Sequence, residues 1–206
     1  ATVRDISQRK NNEAELAQSR QALIERNEHP RLINQLSSRV HATLKLDDIL
    51  RETVEALRGL SLAPHIAIYL LSRDNARLDL VAHRGFGERM LQLITCLPVA
   101  GSQSGRAVTQ KRLLASDNLS GDARVAPDLK EALAAENLHS ALIIPMIYND
   151  RALGCINLAY GEPRTFSEVE RETLGAFCNT VALAVANSRL VVSLAFQARH
   201  DSLTSL

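Results

Sequence analysis

From Ser167 to about His200 the chain runs for more than 30 residues without a proline and with one glycine, Gly175. Within it Leu174, Phe177, Val181, Val185, Val192 and Ala195 recur at helical spacing. Ser167, followed three residues later by Glu170, forms a capping box at its start. At 1.5 Å per residue the segment predicts one helix of roughly 45–50 Å. A small domain cannot bury so long a helix. Its second half is therefore expected to pack against another copy of itself, with Val181, Val185 and Val192 in the seam.

The remainder must supply a core for the first half of that helix. Hydrophobic residues make up 46% of the 206 and charged residues 23%, which suffices for one ordinary domain with extensions. Aromatic residues are only 3% and tryptophan is absent, so the core is aliphatic and no stacking surface for nucleic acid is expected. A net charge of +1 without basic or acidic blocks gives no reason to expect a polyanionic partner. Cys96, Cys155 and Cys178 are far apart, odd in number and set in apolar runs, which reads as free thiols in a reducing compartment. No continuous apolar run approaches the ~20 residues of a membrane span, and the N-terminus lacks a signal-peptide pattern. The expectation is a cytoplasmic chain without direct membrane contact.

Residues 8–28 are polar helix formers in which Leu16 and Leu23 stand one heptad apart, suggesting a coiled-coil seam that Pro30 interrupts. A second helical pattern follows from Arg31 to Leu44. A third has Asp47 as N-cap and Gly59 as its end. His65 to Leu71 and Arg77 to His83 alternate as a hairpin about Asp74-Asn75. Short strands are expected at Cys96–Val99 and Arg112–Ala115, and short helices at Arg106–Gln110 and Leu129–Ala135. Ala141–Tyr148 and Ala152–Tyr160, joined by Asn149-Asp150, form the strongest hairpin; both arms are apolar almost throughout, so both faces should be covered. The order predicts an α+β fold: a central antiparallel sheet of about six strands, helices packed on one side, and long N- and C-terminal helices.

Several segments resemble the GAF domain. Ser140-Ala141-Leu142-Ile143-Ile144-Pro145-Met146 is similar to its S-x-L-x-V-P-L strand, and Gly154-Cys155-Ile156-Asn157-Leu158 to the G-V-L-x-L that follows. Phe166-Ser167 with Leu174 resembles the opening of its last helix, and Gly105-Arg106-Ala107-Val108 and Ala115-Ser116-Asp117 resemble two earlier segments. Val3 to Lys10 resembles the end of a PAS domain, and Arg199 to Leu206 the start of a GGDEF diguanylate cyclase domain. The resemblance implies a PAS-like end at 1–7, a signalling helix at 8–30, a GAF domain at 31–191 and a linker at 192–206 into a GGDEF-like domain. The implied function is a non-catalytic sensor and dimerisation module acting on an attached output domain; the alternatives are a scaffold that binds nothing and a thiol-based enzyme.

Motifs for catalysis are absent from the sequence: there is no HExxH, P-loop or GxGxxG, and Gly101-x-x-x-Gly105 lacks the Lys-Ser/Thr of a phosphate cradle. The six histidines include no i, i+4 pair, so no metal site is expected. Against the family's cyclic-nucleotide motif, Leu158 replaces the lysine and Glu170-Arg171 replaces Asp-Glu, so its buried Lys-Asp pair cannot form. No cysteine lies between Ser116 and Ser140 to attach a bilin. The family's sulfoxide reductases need paired thiols, whereas here only Cys96 is expected near the pocket. The resemblance places that pocket under Ser116 to Asn137. Ser104, Asp117, Asn118, Arg124, His139 and Ser140 are the candidate contacts to an unidentified small molecule, and no cofactor can be named.

Overall fold

The computed structural model describes residues 45–123 and 125–201, the last seven through their backbone alone. The expected elements before residue 45, including Leu16 and Leu23, lie outside the described residues, as does Arg124. The described chain runs α1 (Leu46–Ser61), β1 (His65–Leu71), β2 (Arg77–Arg84), α2 (Glu88–Ile94), β3 (Cys96–Pro98), α3 (Gln103–Gln110), β4 (Leu114–Ser116), α4 (Pro127–Ala135), β5 (Ser140–Tyr148), β6 (Arg151–Tyr160) and α5 (Glu168–Asp201). The fold is α+β. Its six strands form one sheet in the order β3-β2-β1-β6-β5-β4, and every pairing is antiparallel.

The two hairpins are built by local chemistry. Asn149 and Asp150 both adopt positive φ, 47° and 58°, as a two-residue turn matched to strand twist requires. Asp74 Oδ1 accepts from Ser72 Oγ and Ala76 N, closing the turn before β2. At the centre of the sheet Gly154 approaches β1 so closely that a Cβ there would overlap the Tyr69 carbonyl oxygen.

Strand alternation divides the central residues between two faces. Ile66, Ile68, Leu142, Ile144, Ile156 and Leu158, all buried, face α1 and α5. Ala67, Tyr69, Ile143 and Cys155 point to the other side, where Ala107 and Val108 of α3 join them in one cluster. The two long helices thus share one face, and three short helices cover the other. This is why the strands of the second hairpin are apolar on both sides.

Helix α5 spans 34 residues, and Ser167 Oγ accepts from Glu170 N at its start. Leu174, Phe177, Cys178, Val181, Ala182 and Val185 are buried along its first part. Beyond Ser188 the helix presents Leu190, Val191, Val192 and Leu194 to solvent. This corrects the expected seam: Val181 and Val185 are each 0% exposed and belong to the core of one chain, which leaves only Val192 of the three free to meet a partner. Periodicity identifies an apolar stripe but not what covers it. Glu168–Leu194 is also long and apolar enough, by length and composition, to cross a membrane. Packing on the sheet accounts for the apolar character of its first part.

Two helix boundaries differ from expectation. α1 begins at Leu46, so Asp47 lies in the first turn, where it opposes the positive helix end without capping it. It also continues through Gly59 to Ser61, ending at Leu62 in the left-handed conformation. Thr53 and Ser61 are buried within it because their hydroxyls donate to the carbonyls of Ile49 and Leu57. Helix α2 has no counterpart in the sequence reading, since Gly85 and Gly87 mark its approach as loop. Its Met90 and Ile94 are nevertheless buried.

Candidate ligand cavity

The face of the sheet opposite α5 does not close completely. Ala67 and Tyr69 of β1, Asn157 and Ala159 of β6, and Ala141 and Ile143 of β5 floor a cavity of about 430 Å³. The register sets these residues side by side, with Asn157 between Ala67 and Ile143. Small residues at 67, 141 and 159 leave the space; α2, α4 and the loops before them supply the roof through Phe86, Met90, Leu93, Ile94, Leu119, Val125, Leu129 and Leu133. A volume of this size lies within the roughly 300–1,000 Å³ of small-molecule sites, which combine apolar walls with a few fixed polar groups.

Those polar groups come mainly from the start of α3 and from β6. Ser102 caps α3, its hydroxyl accepting from Gly105 N at 2.9 Å and donating to the Pro98 carbonyl. Gly105 is required there, because a side chain would collide with the Val99 carbonyl. The turn so fixed brings Ser104, 3% exposed, under the cavity. Asn157 Nδ2 donates to Ser104 Oγ at 2.9 Å. Gln103 Nε2 donates to Asp122 Oδ2 at 3.1 Å, and Ser116 Oγ donates to the same carboxylate oxygen at 3.2 Å. Asn157 Oδ1 is buried without a hydrogen-bond partner. Leaving such an acceptor unsatisfied costs about 1–3 kcal/mol.

Of the residues singled out from sequence, Ser104 lines the cavity. Asp117 and Asn118 are exposed and lie outside its lining; Asn118 Oδ1 accepts from Ser120 Oγ and Gly121 N and shapes the loop. His139 Nε2 lies 3.1 Å from Asn137 Oδ1, and the fully buried Ser140 donates to the Glu162 carbonyl at 2.7 Å. Neither His139 nor Ser140 is among the lining residues. Asn157 and Gln103 do line the cavity and were not singled out. A signal for Asn157 existed: it is a lone amide in the strand Gly-Cys-Ile-Asn-Leu-Ala-Tyr, where every neighbour is apolar.

The thiols divide by environment. Burial pushes Cys155 up to about 12 and raises Cys178 further, so both remain protonated and poorly nucleophilic. Cys96 is exposed and borders the cavity. Burial likewise holds the Tyr69 phenol far above its ordinary range. At the cavity edge, Glu136 Oε1 accepts from Gly87 N at 2.8 Å, and the His65 ring packs 5.2 Å from that of Phe86. Desolvation lowers the His65 pKa, although Glu136 opposes the shift. The unfolded chain takes up this proton near 6.5 and the folded one resists it, so this residue's contribution to stability is lost as pH falls below about 6.5. Between about pH 7.5 and 5.8 the urea midpoint of His65→Gln is expected to fall less than that of the parent chain.

The same arrangement recurs among solved structures. The GAF domain of an Acinetobacter phosphoenolpyruvate-protein phosphotransferase superposes with a TM-score of 0.67 at 18% identity, covering 81% of this chain and 98% of that one. The corresponding domain from Coxiella burnetii gives 0.68 at 18%, with coverages of 80% and 96%. A free methionine-R-sulfoxide reductase from Neisseria meningitidis, solved with its substrate, gives 0.67 at 15%, with coverages of 79% and 91%. At these identities the likeness establishes the fold alone. None of the curated proteins matches the sequence. A family profile described as GAF domain does match, over residues 43–186, a span that takes in the whole sheet, the cavity and most of the buried part of α5. On that match, together with the sheet order and the helices that enclose it, the chain belongs to the GAF domain family.

Proposed function

We propose that the chain is a non-catalytic sensor and dimerisation module that binds a small molecule in the cavity and regulates an attached output domain through paired helices. The observation that carries the reading is the continuity of α5. One helix backs the sheet along Leu174 to Val185 and continues beyond Ser188 with an exposed apolar run at Leu190, Val191, Val192 and Leu194. A change in the sheet under the cavity therefore reaches the far end of a rigid rod. The resemblance of 199–206 to a GGDEF domain start suggests a diguanylate cyclase as output, and that of 3–10 a PAS domain upstream, in a cytoplasmic homodimer. Thiol catalysis is disfavoured because Cys155 and Cys178, the partners a resolving step would need, are buried and protonated.

The test couples the cavity to the helix. Metabolites are screened by thermal shift on residues 1–206 and on Ala159→Leu, whose larger side chain occupies the cavity floor. A ligand at 100 times its Kd stabilises the parent by about 2.7 kcal/mol, several degrees, and leaves the filled variant unmoved. The same compound should change the distance between spin labels placed at Leu194 of two copies. If no compound distinguishes parent from variant, the scaffold alternative stands instead.

A further inference from the structure

A second depression lies apart from the ligand cavity, and no residue lines both. It is an open cleft of about 1220 Å³, bounded by the turns after β1 and β5, the end of α3, and α5 around Arg189. Four cations line it, Arg73, Lys111, Arg151 and Arg189, against one carboxylate, Asp150. That carboxylate is already engaged, since Lys111 Nζ donates to Asp150 Oδ1 at 2.7 Å. Among the described residues, no carboxylate pairs with Arg73, Arg151 or Arg189. Elsewhere Arg51, Arg58, Arg77, Arg84, Arg89 and Arg164 all pair with carboxylates. The whole chain carries a net charge of only +1, so the excess is local to the cleft. Far apart in sequence, these residues form no basic run; only the fold gathers them. Burial, and then the nearby Arg73 charge, lower the pKa of Arg189, so the two guanidiniums feel each other. Between Glu172 and Asp201 α5 contains no acidic residue, so a second copy paired in parallel along it brings no carboxylate to the cleft either.

We propose that this cleft is a second binding site, in which Arg73, Arg151 and Arg189 hold the phosphate group of a small organic phosphate. A guanidinium presents paired N–H donors that match two phosphate oxygens, and a dianion between like charges removes their repulsion. Leu71, Val99 and Val108 give the organic part an apolar wall. A concave site of this kind fits a small molecule better than a flat lipid surface. Arg73 belongs to the turn after β1 and Arg189 to α5 just beyond Ser188, so a phosphate bound to both ties the helix to the sheet where its exposed apolar run begins. The site stands independently of the ligand cavity.

The experiment titrates phenyl phosphate and inorganic phosphate into residues 1–206 at about pH 7.5, where the phosphate is mostly dianionic. Sodium chloride holds the ionic strength constant, and amide chemical shifts are followed. Saturable shifts are expected at Arg73, Arg151 and Arg189 and none at Ile143 or Ala159 in the cavity, with phenyl phosphate the tighter probe. Arg73→Gln and Arg189→Gln should each weaken phenyl phosphate binding by at least about ten-fold. Arg58→Gln, which removes an arginine paired with Glu55 on α1, should leave the affinity within about two-fold. Arg73 and Arg189 are exposed, so both variants should fold; if one does not, the other decides. Shifts that are absent or do not saturate, saturable binding that survives both substitutions, or an equal loss in Arg58→Gln overturns the site. Shifts confined to Ile143 and Ala159 also overturn it and place the phosphate in the cavity. Inorganic phosphate binding as tightly as phenyl phosphate overturns the organic class. Each of these outcomes leaves the sensor reading as it stands.

Discussion

Val185→Asp will unfold the domain, and Val192→Asp will leave it folded but monomeric. The two valines lie seven residues apart on one helix, and their environments are opposite. Val185 is 0% exposed and packed among the core residues of α5, whereas Val192 is 66% exposed. Placing a carboxylate at 185 buries an unpaired charge, a mechanism that reaches 4–5 kcal/mol or more and so approaches the whole stability of about 5–15 kcal/mol typical of a domain. The expected result is loss of the cooperative thermal transition in circular dichroism. At 192 the carboxylate is solvated, and stability should change by no more than about 0.5 kcal/mol. Light scattering should then report a halved mass relative to the parent chain, because Val192 sits within the exposed run Leu190 to Leu194 that the proposed dimer uses. A Val192→Asp chain that remains dimeric would remove this run from the interface.

Gly154→Ala is expected to destabilise the fold by roughly 3 kcal/mol or more, lowering the thermal midpoint by about 6–12 °C. Gly154 pairs with Leu70 on one side and Met146 on the other, in the middle of the sheet. Its φ of 158° and its approach to the Tyr69 carbonyl leave no room for a methyl group. The β5–β6 pairing shifts register beside it, between Met146 and Ile147. The added carbon would press on backbone rather than on a side-chain end, so relief requires moving a central strand. A midpoint within about 2 °C of the parent would show that β1 yields more easily than this geometry allows.

These cases mark where the sequence was legible. The β5–β6 hairpin could be read residue by residue, because apolar arms and an Asn-Asp turn are local signals that the chain satisfies with its own neighbours. Helix α5 was legible in extent for the same reason. The assignment of Val181 and Val185 to a dimer seam failed because one apolar stripe serves equally against a sheet or against another helix, and only the three-dimensional neighbours decide. The cavity shows the same limit more strongly. Ser104 and Asn157 meet across 53 residues of chain, and the significance of Asn157 lies in an oxygen left without a donor, which no spacing rule encodes. Asp117 and Asn118 looked like binding groups by residue type, yet they are exposed and lie outside the lining, and Asn118 serves its own loop. Helix α2, seven residues entered through Gly85 and Gly87, is too short for periodicity to separate it from a turn.

From Ser188, its last buried residue among those described, α5 continues for about 20 Å to Asp201. Such a projection acts as a lever. A tilt of about 10° at the sheet, small enough for side-chain repacking to absorb, displaces its tip by roughly 3–4 Å, whereas sliding the helix by that distance would tear Phe177 and Val181 from their sites. Leverage of this kind favours pivoting over piston motion for the output proposed above.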